Sequence, residues 1–268
     1  MESMMTNLEK ELALIEQQKK TYKILLNKSK YQQELRQALW ESAAELASRF
    51  DIVPDKVTFQ LQQEKRQALT NAYNMVRMAP KNVLEVPFIK DIHGALIASE
   101  NPRIGGVFRT MPARWRNSTI ILSNSIKIPT HMDNLVDGIN QNHIPAFYWE
   151  EAPNKEFQKL SHNPVMQAIE ANYNTVAIHP FNDGNKRTGR LVSAWILDKN
   201  GHIPLSIYDR EDYISGMENY YETRTPHVFY NMMCDQMRQS YDKAIQEVQS
   251  TDTLRVYMGQ NIKRNQGK

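Results

Sequence analysis

The sequence holds a single cysteine, Cys234, among its 268 residues, which excludes an internal disulfide and a multi-cysteine zinc site. No apolar run approaches the ~18 residues that a bilayer span requires, and the longest near the centre is LVSAWIL. The N-terminal MESMMTNLEKELALIEQQKK lacks the basic start and apolar core of a secretory signal. No membrane partner is therefore expected. A reducing cytoplasm suits the lone thiol, with signal-less export left open. An excess of one charge is also missing, since 33 basic against 30 acidic residues give a net charge of +3. That is too weak to imply a polyanion partner without a concentrated patch. The notable patch is the end of the chain, where Arg255, Lys263, Arg264 and Lys268 meet no acid after Asp252. It reads as a solvated, frayed basic tail over 251–268, and no nucleic acid is expected. Repeats and low-complexity segments are absent. With 41% apolar and 24% charged residues, the composition is that of a folded soluble protein.

What is present is mostly helical. Residues 6–50 are rich in Glu, Gln, Lys, Leu and Ala and read as one long helix or two consecutive ones. Leu8, Leu12, Ile15 and Tyr22 form an apolar stripe that needs a partner, either the main domain or a second copy of the chain. A connector at Pro54 leads to VTFQLQQEKRQALTNAYNMVRM, helical until Pro80, so 1–80 is expected to be an N-terminal helical extension. A larger unit over 81–250 follows. VPFIKDIHGALI reads as a helix closed by the turn cluster SENPRIGG. STIILS and SIKI, separated around Asn124, carry the one convincing β-branched alternation and suggest a short hairpin. Helical patterning resumes at 132–140, at 163–178 (ended by Pro180), at 184–199 with Gly201 beyond it, and through the two segments from Arg210 to Val248. Cys234 lies in an aromatic and methionine-rich stretch and reads as a small core residue.

Glycine is scarce, at ten residues, yet two fall inside AIHPFNDGNKRTGRL, residues 177–191, beside a histidine, an aspartate and three cations. One helix ends at His179, Pro180 and Phe181 turn the chain, and Asp183 and Gly184 lead into a helix whose first turn carries Asn185, Lys186 and Arg187. A helix start exposes unpaired N–H groups and partial positive charge, so it binds anions. Cations there oppose the helix dipole by ~0.3–1 kcal/mol each, which implies a polyphosphate to receive them. Asp183 could hold magnesium, which takes few carboxylates and fills its remaining positions with phosphate oxygens and water. His179, at the rim of this site, is the candidate general base. Against a P-loop stand Arg190 and Leu191 after the second glycine, where Lys and Ser or Thr are required, and a helix rather than a strand before the loop.

The run HPFNDGNKRTGR resembles the signature of the Fic family, H-x-F-x-D/E-G-N-G-R-x-x-R, departing from it at Lys186, where glycine is usual. GGVFRT at 105–110 looks like the family's glycine, aromatic, arginine element, followed by a hairpin at the place of its flap. The resemblance extends over roughly 86–245. It implies an all-α fold, a Fic-type helical bundle with a short β-hairpin flap, and transfer of AMP from ATP, the co-substrate, onto a Ser, Thr or Tyr hydroxyl of a target protein. By position, His179 would be the base and Asp183 would bind Mg2+. Gly184, Asn185 and Lys186 would cradle phosphates, the asparagine with its side chain as well as its amide. Arg190 would meet the γ-phosphate, Arg187 would have a phosphate or structural role, and Phe181 would be the buried plug. Tyr220 and Tyr221 fall where the family often places groups near the base. Thr119, Ile121 and Ile128 of the flap would dock the target by strand addition.

Lys186 leaves open a Doc-like protein phosphotransferase, against which Gly184, Arg190 and the size of the chain count. A catalytically silent interaction protein is the reading from another class. The donor is not fixed either, because a backbone cradle reads phosphates and not bases. Many relatives carry an inhibitory S/T-x-x-x-E-G/N helix, which the terminal helices here lack. Either a separate inhibitory protein supplies it, or Glu64 in TFQLQQEKR substitutes, or such control is absent. Self-modification and homo-oligomerisation are further expectations to test, and the target protein is not specified by the sequence.

Overall fold

The structure, a computed structural model, describes residues 2–51, 59–114, 122–143, 160–223 and 225–265. The described residues contain nine α-helices and no strand: α1 (Glu2–Lys28), α2 (Gln32–Asp51), α3 (Phe59–Met78), α4 (Val86–Ile97), α5 (Ile128–Asn140), α6 (Pro164–Ile178), α7 (Asn185–Lys199), α8 (Arg210–Thr223) and α9 (His227–Asn265). The all-α expectation holds. The 6–50 segment is two helices, broken at Ser29, whose hydroxyl accepts from the Tyr31 amide.

The hairpin is not formed where it can be seen. Asn124 caps a 3-10 turn at Ser125–Lys127 by accepting from the Ile126 amide, and Pro129 sits in the first turn of α5. A cap followed by proline at a helix start favours helix entry over ladder pairing, and it overrides the alternation of SIKI. Thr119 and Ile121 lie outside the described residues. Ile128 is fully buried as the first residue of α5, so it packs the core instead of facing a docked strand.

The centre of the molecule is the pair α6 and α7. Both are buried over most of their length, and they pack closely because Gly189 faces the α6 backbone. A Cβ at Gly189 would come within 2.9 Å of the Asn172 carbonyl. Around this pair lie α3, α4, α5 and α9. The N-terminal stripe finds its partner inside the chain: Leu8, Leu12, Ile15 and Tyr22 are buried where α1 runs along α9. The connector after α3 is fastened as well, since Trp195 Nε1 donates to the Pro80 carbonyl at 3.2 Å and Lys81 pairs with Asp198 at 3.1 Å. The described helices α1, α2 and α3 therefore pack as part of one core. At the other end α9 continues unbroken past 250 to Asn265, so the backbone expected to fray there is helical. Cys234 is buried, and burial pushes its thiol up to about 12.

Candidate active site

The turn between α6 and α7 is built from its own sequence. His179 caps α6 in the left-handed region (φ 51°, ψ 58°), where a non-glycine residue is uncommon. Phe181 is fully buried, stacked face to face on His93 of α4 at 3.7 Å and tilted against Phe108 at 5.5 Å. Its burial is what the resemblance implies for a plug at this position. Asn185 closes the turn with both ends of its amide, accepting from the Phe181 N–H at 2.9 Å and donating to the Phe181 carbonyl at 2.8 Å. That side chain is thus committed to the loop, which leaves its backbone N–H for an anion. Gly184, at φ 77°, opens α7, and a Cβ there would lie 2.9 Å from Ile97 Cδ1. Only glycine meets both demands.

His179 sits at the rim and is half-buried. Its Nδ1 lies 3.3 Å from the Val176 carbonyl. A carbonyl only accepts, so Nδ1 carries the hydrogen and Nε2 keeps its lone pair. Burial, above all, pushes the imidazole down to about 4. The Val176 hydrogen bond and the Asp183 charge oppose this, while Arg109 and Lys186 reinforce it. The ring is therefore neutral at pH 7, as a base must be. Lys186, partly buried in the first turn of α7, is close enough to act on it electrostatically.

Asp183 is the exposed carboxylate of the loop. Its side chain is 67% accessible, and Oδ1 accepts from the Gly184 N–H at 2.6 Å. Among the described residues no three His, Cys, Asp or Glu converge on a metal position. A lone exposed carboxylate beside a helix N-terminus suits a magnesium ion that takes most of its oxygens from phosphate and water. Arg187, nearly buried, donates through NH1 to Glu100 and stands 3.9 Å from Asp183 through NH2. Arg190 is buried and its NH2 reaches the Ala47 carbonyl of α2 at 3.5 Å. Glu64 faces solvent on α3, where it accepts from Gln60 at 3.0 Å. Tyr220 belongs to an aromatic cluster with Tyr173, Phe229 and Tyr230, its hydroxyl donating to Glu170 at 2.9 Å. Tyr221, half-buried, packs at the edge of the same core.

Two residues outside the loop position this site: His93, which carried no role in the sequence reading, and Arg109, the arginine of the GGVFRT element. His93 was one residue of an apolar helix. Its Nδ1 accepts the Gly106 N–H at 2.9 Å, which fixes the hydrogen on Nε2, and Nε2 donates to the Asp183 carbonyl at 2.9 Å. Arg109 is the fifth residue of GGVFRT. Its guanidinium donates to the carbonyls of His179 at 2.7 Å, Met111 at 2.8 Å and Ser123 at 2.5 Å, tying Met111 and Ser123 to the cap of α6. A lone histidine on a buried face, between Ile89, Ile92 and Leu96, was the available signal for the first.

Residues 83–197 match the Fic/DOC family. A protein adenylyltransferase Fic of Drosophila willistoni is 28% identical over 139 residues, covering 52% of this chain and 24% of that protein. The chain thus spans far less than two thirds of the length of the curated relatives it matches. A Fic-domain signalling protein of Bacteroides thetaiotaomicron superposes with TM-score 0.68 at 17% identity, covering 88% of this chain and 98% of the other. Fic-1 of C. elegans, residues 134–508, gives 0.67 at 16%, covering 92% and 74%. At such identities the two superpositions establish the fold.

Proposed function

The chain is a Fic family protein, and from that premise we propose that it transfers AMP from ATP to a hydroxyl side chain of a protein. The observation that carries the reading is the tautomer and place of His179: a neutral imidazole whose Nε2 lone pair is left free at the rim of a helix N-terminus. In the proposed step His179 Nε2 takes the hydroxyl proton. The hydroxyl oxygen then forms a bond to the α-phosphorus, the bond from that phosphorus to the bridging oxygen breaks, and pyrophosphate leaves with the electron pair. The first N–H groups of α7, from Asn185, Lys186 and Arg187, lie at the open start of the helix and suit the phosphate oxygens. Arg190, across the helix start, is the candidate for the terminal phosphate. A magnesium ion held by Asp183 would neutralise phosphate charge when bound. Transfer of this kind rests on positioning and charge neutralisation more than on covalent chemistry by the protein.

Lys186 favours a second reading. A cation beside the base, where the family has glycine, could reverse the nucleotide and present its γ-phosphate instead. ATP labelled at the α or at the γ position separates the two, with protein targets or with the chain itself as acceptor. We expect α-label on protein, lost at least a hundredfold in His179→Ala, with unchanged helical content. Label from the γ position would replace this reading with phosphotransfer, and no label from either, with nucleotide uptake also absent, would leave an interaction protein.

A further inference from the structure

SENPRIGG reads in sequence as a turn, yet it places a carboxylate against the nucleotide loop. Glu100 follows the end of α4, where the chain turns back under α7. Its Oε1 receives Arg187 NH1 and its Oε2 receives Lys65 Nζ at 2.9 Å, and the three side chains are only 9%, 16% and 16% exposed for Arg187, Glu100 and Lys65. Burial raises the Glu100 pKa. The hydrogen bonds and charges of Arg187 and Lys65 outweigh it, so the carboxyl lies below its ordinary range and is ionised. The same guanidinium has a second carboxylate in view, Asp183 Oδ1, at 3.9 Å from NH2.

Resting on the reading of the site given above, we propose that Glu100 is a positioning residue for the divalent cation. By holding Arg187 through NH1, it keeps the guanidinium at the long limit of an ion pair with Asp183, 3.9 Å away, and leaves that carboxylate open to the metal, while Lys65 braces it from α3. A nearly buried guanidinium that loses one carboxylate leans harder on another within reach. Deprived of Glu100, Arg187 closes the remaining distance to Asp183 and competes with the cation for the same oxygens. The arrangement also gives the N-terminal extension a line to the catalytic loop through Lys65, one residue from the Glu64 that the sequence offered as an inhibitor.

A purely structural staple predicts something different, so the test uses a cycle. Mn2+ is titrated into protein saturated with the β,γ-imido analogue of ATP, and free Mn2+ is read by electron paramagnetic resonance. Glu100→Gln is expected to weaken Mn2+ about tenfold, in the range typical of residues that orient a metal ligand. Arg187→Gln placed on top of it removes the competitor and restores most of the affinity, and Glu100→Asp lies between. Unchanged Mn2+ affinity in Glu100→Gln, or a double variant weaker than the single one, would overturn the proposal. If Glu100→Gln melts below the assay temperature, Lys65→Met replaces it. Removing the brace alone should still weaken Mn2+, and affinity equal to wild type would count against the proposal in the same way. Failure of the wild-type protein to take up the manganese nucleotide would remove the reading of the site itself, whereas wild-type uptake indifferent to Glu100 removes only this inference.

Discussion

His179 combines a strained backbone with a fixed tautomer. The left-handed conformation turns the imidazole out of the end of α6, and the Val176 carbonyl settles which nitrogen can accept a proton. Because burial holds the ring down to about 4, the proposed base is already deprotonated over the neutral range. We therefore expect kcat/KM for AMP transfer to be flat from about pH 6 to 8 and to fall only on an acid limb with a midpoint near the depressed value. A midpoint at or above the ordinary 6.5 of histidine would contradict the burial argument. At this scale the sequence was informative where chemistry is local: histidine, aspartate, glycine and cations lie within one turn. It was silent on His93 and Glu100, because their roles depend on how α4 and the turn after it meet a loop some ninety residues away. Spacing carries no trace of that. Asn185 is a mixed case, since its place in the loop was legible but not the commitment of its amide to Phe181.

Among elements, the junction of α6, the GGVFRT segment and the start of α5 depends on one side chain. Arg109, itself in GGVFRT, is buried and donates to the carbonyls of His179 at the cap of α6, of Met111 just after GGVFRT, and of Ser123 ahead of the turn that enters α5. A lysine offers a single flexible ammonium in place of the planar fork and cannot span them. Arg109→Lys should lower stability by roughly 1.5–3 kcal/mol in urea unfolding, the scale of a lost charge-assisted hydrogen bond at a buried position. It should also lower labelling by more than the folded fraction accounts for, because the His179 cap loosens. Labelling that simply tracks the folded fraction would make Arg109 structural only. Helix positions in this region were legible from periodicity and proline. The hairpin was misread at Ser125–Lys127 because β-branched alternation over four residues is a weaker signal than an asparagine cap with proline at a helix entry.

Across the whole molecule, three histidines tie the parts together: His93 joins α4 to the loop, His179 caps α6, and His202 joins α1 to α9. The His202 ring lies 3.0 Å from Glu16 and 3.0 Å from the Tyr241 hydroxyl. The sequence showed that an N-terminal stripe needed a partner but not that this partner was α9, because the pairing spans most of the chain. Burial first, with Lys19 and Lys23 adding to it and Glu16 opposing, pushes His202 down to about 4, and burial does the same to His93. The unfolded chain binds a proton at each near pH 6.5 and the native state does not until about 4. Between those values the unfolded state holds more protons, so stability falls as pH drops through that window and is flat above it. Glu170 works in the opposite sense: burial raises its carboxyl to about 7, with the Tyr220 hydroxyl opposing, so the native state gains a proton the unfolded one lacks. One group against three leaves acid destabilisation as the net result. The urea midpoint should drop by a clear margin between pH 7.5 and 5, and His202→Asn should shrink that drop by its own share while lowering the midpoint at pH 7.5 through lost α1 contacts. Equal midpoints at the two pH values would mean that the histidines titrate in the native state as they do in the open chain, and that α1 is not held on α9 through a neutral imidazole.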